Sequence, residues 1–148
     1  MNVRYKRYTV GLLFDGDRVL LLKKKRGPET VIGKWNGPGG KVVIGEGQVV
    51  AMRREFREET GTDVKNWKLQ VLLVNPDEEY EIYFFFADWE AGMDMPRTAT
   101  DELVRWRNLN RLHEIEMAPH LGWVIPMCLD PSLKTTSTIR AESSNVGS

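Results

Sequence analysis

Gly40-Lys41-Val42-Val43-Ile44-Gly45-Glu46-Gly47-Gln48-Val49-Val50-Ala51-Met52-Arg53-Arg54-Glu55-Phe56-Arg57-Glu58-Glu59-Thr60-Gly61-Thr62 is the most informative segment of this 148-residue chain. Val49, Val50, Met52 and Phe56 mix with Glu and Arg over residues 48–60, and Gly61 supplies a C-terminal stop. The pattern predicts a helix over Gln48–Thr60. Glu55, Glu58 and Glu59 then stand at i, i+3 and i+4 and share one helix face. Like charges so spaced repel, and the C-terminal end of a helix disfavours anions further. A bound cation would remove that cost. Hard carboxylate oxygens suit Mg²⁺ or Mn²⁺, and no His or Cys accompanies them, which argues against zinc. The alternative is a solvated acidic face neutralised by Arg53, Arg54 and Arg57. Upstream, Trp35-Asn36-Gly37-Pro38-Gly39-Gly40 lets the backbone bend tightly and pass close to the helix, where a carbonyl could complete a metal shell.

Working outward, Tyr8–Phe14 places Val10, Leu12 and Phe14 at period two. Asp15-Gly16-Asp17 is turn chemistry, and Val19–Leu22 is a short apolar run, so a hairpin is expected. Lys23-Lys24-Lys25-Arg26 is a basic run closed by Gly27-Pro28. Residues 29–47 hold seven glycines and prolines, which predicts loops around a short strand at Lys41–Val43. Trp67–Val74 and Tyr80–Ala87 read as strands joined by a turn at Asn75-Pro76-Asp77. Gly92–Thr100 reads as a loop, Leu103–Trp106 as a short strand, and His120–Leu129 as a helix that Pro126 must break or kink. Strands around few helices imply an α+β or α/β sandwich, not a bundle.

Composition bounds the rest. The chain is 41% hydrophobic and 28% charged, which excludes a wholly disordered protein. Its 21 Lys and Arg balance 21 Asp and Glu, so the whole-protein charge points to neither a nucleic-acid polymer nor a membrane surface. The first 26 residues carry eight Lys and Arg against two Asp, a steering field for a polyanionic substrate. Cys128 stands alone, so no internal disulfide forms, and its apolar setting reads as packing. No apolar run approaches the roughly 20 residues of a membrane span, and a cytoplasmic protein is expected. Residues 130–148 include eight Ser and Thr among 19 and predict a flexible tail after a domain at 1–129.

The Gly40–Thr62 segment resembles the Nudix box, G-x5-E-x7-R-E-U-x-E-E-x-G-U, where U is a bulky apolar residue. Gly40, Glu46, Arg54, Glu55, Phe56, Glu58, Glu59 and Gly61 match, and Thr62 departs at a packing position. The resemblance implies a single-domain α/β fold, an α/β/α Nudix sandwich with a mixed sheet. It implies hydrolysis of a nucleoside diphosphate linked to another moiety, with Mg²⁺ as cofactor and Mn²⁺ as a substitute. Glu55, Glu58, Glu59 and the Gly40 carbonyl become metal donors, and Arg54 orients the glutamates. Glu55, Glu58 and Arg54 are thereby catalytic positions, joined by Glu102 as base or ligand.

The stretch Lys24–Gly27 followed by Gly33–Val42 is similar to the MutT-type oxidised-purine nucleoside triphosphatases. The expected activity is a nucleoside triphosphate pyrophosphohydrolase, with ADP-ribose, a dinucleoside polyphosphate or a nucleotide sugar as alternative substrates. A non-catalytic binding module is the rival of another class. Lys24 would meet phosphates, and Asn36, Thr9, Phe84, His120 and Trp123 would contact the nucleotide. Asn36 reads a base edge or serves the turn before Gly37, and His120 binds a base or caps the last helix. His120-Leu121 stands where the subfamily carries an acidic pair, which leaves the preferred base open. The expected partner is the nucleotide alone, in a monomer or homodimer.

Overall fold

A computed structural model of the chain describes residues 5–142. Eight strands and two helices follow one another: β1 Lys6–Asp15, β2 Arg18–Lys23, β3 Trp35–Asn36, β4 Gly39–Lys41, α1 Gln48–Thr60, β5 Lys68–Asn75, β6 Tyr80–Asp88, β7 Val104–Asn108, α2 Leu121–Leu129 and β8 Ser137–Arg140. A short 3-10 helix, Leu109–Glu114, follows β7 and was not expected from the sequence. The strands form one mixed sheet in the order β3-β2-β1-β6-β5-β8, with β4 beside β1 and β7 beside β2. The β1–β6 and β5–β8 pairs are parallel, and the others are antiparallel.

Period-two alternation divides the core between the two sheet faces. Val10, Leu12, Phe14, Val19, Leu21 and Phe84 pack on one face against Leu121, Val124, Ile125 and Cys128 of α2. Leu13, Leu20, Leu22, Tyr83 and Phe85 pack on the other against Met52 and Phe56 of α1. Phe56 meets Trp67 edge-on, with ring centroids 5.0 Å apart. The sheet therefore lies between the two helices, the α/β/α sandwich that the sequence implies. Helix α1 ends where expected: Gly61 adopts the left-handed conformation at φ 76°, and its N–H bonds Arg57 O. Thr62 is fully buried, and its hydroxyl donates to Asp94 O at 3.0 Å, so this departure from the box is a satisfied one.

Three expectations need correction. Pro126 does not end α2, which runs on to Leu129. The packing of Leu121, Val124, Ile125 and Cys128 on the sheet outweighs one missing backbone bond. The expected tail is structured over part of its length. Ser137–Arg140 pairs in parallel with β5, Thr136 Oγ1 donates to Leu69 O at 2.8 Å, and Ile139 packs on the core. The open edge of β5 supplies backbone partners from Val71 to Val74, and Ile139 and Ala141 supply the apolar contacts. Residues 143–148 lie outside the described part. His120 occupies the cap position of α2, but its side chain makes no cap hydrogen bond. Cys128 is buried, which pushes its thiol up to about 12, in keeping with a packing role. Among the described residues no helix is long and apolar enough to cross a membrane.

Candidate active site

Arg54 organises the acidic face of α1. Its Nε and Nη2 donate to the two oxygens of Glu46 at 2.7 and 2.9 Å, a bidentate pair that closes the loop before α1. Its Nη1 reaches Glu55 at 3.0 Å and Glu58 at 3.4 Å. Glu46 also accepts the Val43 N–H. The Arg54 guanidinium holds the Glu46 carboxyl down at about 2. Glu55 is half-buried, and desolvation raises its carboxyl above the usual range despite Arg54.

Glu59 differs from its neighbours. It is 8% exposed, and its Oε2 has no hydrogen-bond partner. Burial pushes its carboxyl up to about 8, with Glu55 and Glu102 adding to the rise and Lys24 and the Gly39 backbone opposing it. Gly40 of β4 presses against the same face: a Cβ there would lie 2.6 Å from Glu55 Cδ. Thr9 Oγ1 donates to Gly40 O at 3.3 Å and accepts from its N–H at 3.4 Å, which fixes the peptide unit beside Glu55. Thr9 itself is 2% exposed, so its hydroxyl serves Gly40.

The donor set suits a hard divalent cation: carboxylates, the Gly40 backbone packed directly on Glu55, and a buried carboxylate oxygen without a partner. Among the described residues no three acidic, His or Cys groups stand together as a metal cage, and Arg54 pairs with both Glu55 and Glu58.

A cleft of about 620 Å³ opens beside this cluster. Lys24, Gly39 and Gly40 line it, and Lys24 and Gly39 are the groups that act on Glu59. Arg26, Lys6 and Lys41 add positive charge, with Glu78 as counter-charge. Tyr80, Ile82 and Phe84 from β6 and Tyr8 and Val10 from β1 form the apolar wall. Of the sequence-selected residues, Lys24, Thr9, Asn36, Gly40, Phe84 and His120 all line this one cleft. Asn36 Oδ1 accepts the Gly37 N–H at 2.9 Å, but Asn36 lies in strand β3 without a left-handed φ, so the expected turn role is corrected, and the amide nitrogen remains available. His120 has the left-handed φ of 79°, and burial lowers its imidazole pKa. Trp123 does not line the cleft; it meets His120 edge-on at 5.6 Å. Glu102 is buried against the Lys24–Arg26 loop, 3.5 Å from Lys24 Nζ.

Lys6, Lys41, Tyr8, Tyr80 and Ile82 escaped the sequence reading. Strand alternation would have found them: Lys6, Tyr8 and Val10 share a face, as do Tyr80, Ile82 and Phe84, and β1 pairs β6 with Tyr8 opposite Ile82. The same alternation sends Tyr83 and Phe85 to the α1 side, away from the cleft.

The NUDIX domain family model matches residues 4–127. The chain belongs to the Nudix hydrolase family. It is 32% identical over 126 residues to the oxidized purine nucleoside triphosphate hydrolase of Mus musculus, covering 82% of this chain and 78% of that protein. It is 32% identical over 127 residues to the uncharacterized Nudix hydrolase YvcI of Bacillus subtilis, covering 81% and 77%. Among solved structures, the mutator MutT protein of Bacillus halodurans superposes with a TM-score of 0.66 at 25% identity, covering 93% of this chain and 88% of that one. A Nudix hydrolase thus accounts for the unusual concentration of carboxylates on α1.

Proposed function

We propose that this Nudix hydrolase is a Mg²⁺-dependent nucleoside triphosphate pyrophosphohydrolase, releasing a nucleoside monophosphate and pyrophosphate, with Mn²⁺ able to replace Mg²⁺. One observation carries the reading. The buried Glu59 carboxylate, whose Oε2 has no hydrogen-bond partner, adjoins, through Lys24 and Gly39, a cleft that is basic beside it and aromatic along its wall. A nucleotide has the matching polarity, phosphates at one end and a flat base at the other. The mouse relative, named an oxidized purine nucleoside triphosphate hydrolase, supports the triphosphate class.

Glu55, Glu58, Glu59 and the Gly40 carbonyl would hold the divalent cation. The bound cation neutralises charge developing on phosphate and lowers the pKa of a bound water. Arg54 keeps Glu55 and Glu58 on one face, and Thr9 holds the Gly40 peptide against Glu55. Lys24 and Arg26 meet the polyphosphate. The Asn36 amide nitrogen and the uncharged His120 ring face the base, with Phe84 in the wall behind it. Trp123 buttresses His120 from outside the cleft.

A panel of ordinary and oxidised nucleoside triphosphates, ADP-ribose, dinucleoside polyphosphates and nucleotide sugars tests the reading, with products resolved by chromatography. Pyrophosphate from at least one triphosphate, at the highest kcat/KM of the panel, is expected. Turnover confined to ADP-ribose or nucleotide sugars would refute the triphosphate assignment.

A further inference from the structure

A second cavity, of about 460 Å³, shares no lining residue with the cleft. Helix α2 joins the two: His120 at its start lines the cleft, and Cys128 and Leu129 at its end line the cavity. Phe14 of β1 and Phe86 of β6 supply aromatic lining. Leu129 and Leu133, 46% and 37% exposed, supply aliphatic lining. The turn after α2 is fixed in place. Leu133 N–H donates to Asp130 O at 3.1 Å, and the Ser132 hydroxyl and N–H donate to Asp130 Oδ1 at 2.7 and 2.9 Å.

Gln70 lines this cavity for a reason found in the strand register. Lys68 faces Phe86 and Leu69 faces Phe85, but Val71, not Gln70, faces Phe84. Gln70 is the extra residue of a β-bulge, a device that re-aims a side chain. It is 3% exposed, and its Nε2 has no hydrogen-bond partner. Buried amide nitrogens are nearly always paired in folded proteins, so a bare one beside a cavity marks a place for a partner.

Charge separates the two hollows. Lys6, Lys24, Arg26 and Lys41 outnumber Glu78 in the cleft. In the cavity Lys68 and Lys134 balance Asp88 and Asp130, so a polyphosphate is not drawn to it. Apolar walls, one buried polar group and no net charge suit a small uncharged ligand with a flat apolar body. A side-chain amide both donates and accepts, so another amide is its natural counterpart.

We propose that this cavity is a second ligand site, which takes a small uncharged aromatic molecule bearing an amide and seats that amide on Gln70. The site is independent of the triphosphate reading.

Benzamide is the probe, titrated into the full chain and followed by proton–nitrogen NMR. Saturable shifts of the Gln70 side-chain amide and of the Leu69, Leu129 and Leu133 backbone amides are expected, with a Kd on the order of 1 mM. Toluene, which lacks the amide, should bind the wild type about tenfold more weakly. Gln70→Leu keeps the bulk without the amide; it should melt no earlier than the wild type and bind benzamide about tenfold more weakly. Leu133→Trp, at a partly exposed position, should fill the cavity and abolish the shifts. Equal benzamide affinity in the wild type and Gln70→Leu would overturn the proposal, as would equal wild-type affinity for toluene and benzamide. Shifts that gather at Tyr8 and His120 would place the probe in the cleft and overturn it too. So would the lack of any saturable shift, the sign of a cavity that holds only water.

Discussion

Gly40→Ala should separate stability from activity. An added Cβ would lie 2.6 Å from Glu55 Cδ and 2.7 Å from each of its oxygens. Real Cβ contacts do not form at that distance, so one group must move. The Glu55 carboxylate is the end of a flexible side chain and swings away more readily than β4 shifts. The structural loss is then mainly the Arg54–Glu55 pair, under about 1 kcal/mol for a partly exposed ion pair. Such a loss lowers Tm by only ~2–4 °C in a domain of this size. The catalytic loss is larger, because a displacement of about 1 Å can cost 10²-fold in rate. Gly45→Ala is the control. Gly45 has φ 87° and nothing within 4 Å of its added Cβ, so Ala there is strained by about 1–2 kcal/mol and touches no catalytic group. The two variants should rank in opposite orders: Gly45→Ala melts earlier, and Gly40→Ala turns over at least about 10²-fold more slowly. Thermal melts and steady-state kinetics on both variants provide the test. Wild-type turnover in Gly40→Ala, or equal loss in both, would refute the close approach of Gly40 to Glu55 as a functional feature.

Four further outcomes are expected. The folded-state pKa of Glu59, about 8, lies above the unfolded value, so the Glu59 contribution to metal-free stability is greatest below about pH 4.5 and is lost as pH rises towards 8; Glu59→Gln should flatten that decline in metal-free melts and gain on the order of 4 kcal/mol at pH 8. Glu46 has the opposite sign: its carboxyl, held at about 2, stabilises above pH ~4.5 and loses that contribution as pH falls towards 2. Arg54→Lys loses the fork to Glu46 and should weaken this acid-side dependence in pH melts as well as lower kcat. His120→Gly relieves a left-handed φ with no cap bond to lose, so it should raise Tm by a few degrees, about 1 kcal/mol, while raising KM for the nucleotide. Ile139→Ala should cost about 1 kcal/mol in denaturant unfolding, a loss that a free tail would not show.

The α1 face was legible because its information is local: the spacing of Glu55, Glu58 and Glu59 and the stop at Gly61 need only the helix repeat. The β1–β2 hairpin and the β5 and β6 strands were legible for the same reason, as period-two apolar runs between turn residues. The β8 strand was not, since Ser137–Arg140 has one apolar residue and depends on an edge 66 residues away in the chain. The cleft wall was only half visible. Phe84 was selected without its partners, because Lys6, Tyr8 and Tyr80 join it only through the β1–β6 register. His120 was read as a base contact or a cap from its place before a helix; its backbone is left-handed and it lines the cleft without a cap bond. Nothing in the local sequence distinguishes those conformations. Arg54 and Glu46 formed an identifiable pair across eight residues, whereas the partners of Glu102 are about 77 residues distant.

Under the proposed function, Glu59 and its neighbours on α1 drive metal-dependent cleavage of a triphosphate to monophosphate and pyrophosphate. Phosphorus NMR of a dGTP and 8-oxo-dGTP hydrolysis mixture tests it most directly, with wild type and Glu59→Gln, each with Mg²⁺ and with EDTA. Pyrophosphate and monophosphate are expected from the wild type in Mg²⁺, and none from EDTA-treated enzyme or from a folded Glu59→Gln variant. Orthophosphate with nucleoside diphosphate as the products, or undiminished pyrophosphate release from Glu59→Gln, would contradict it.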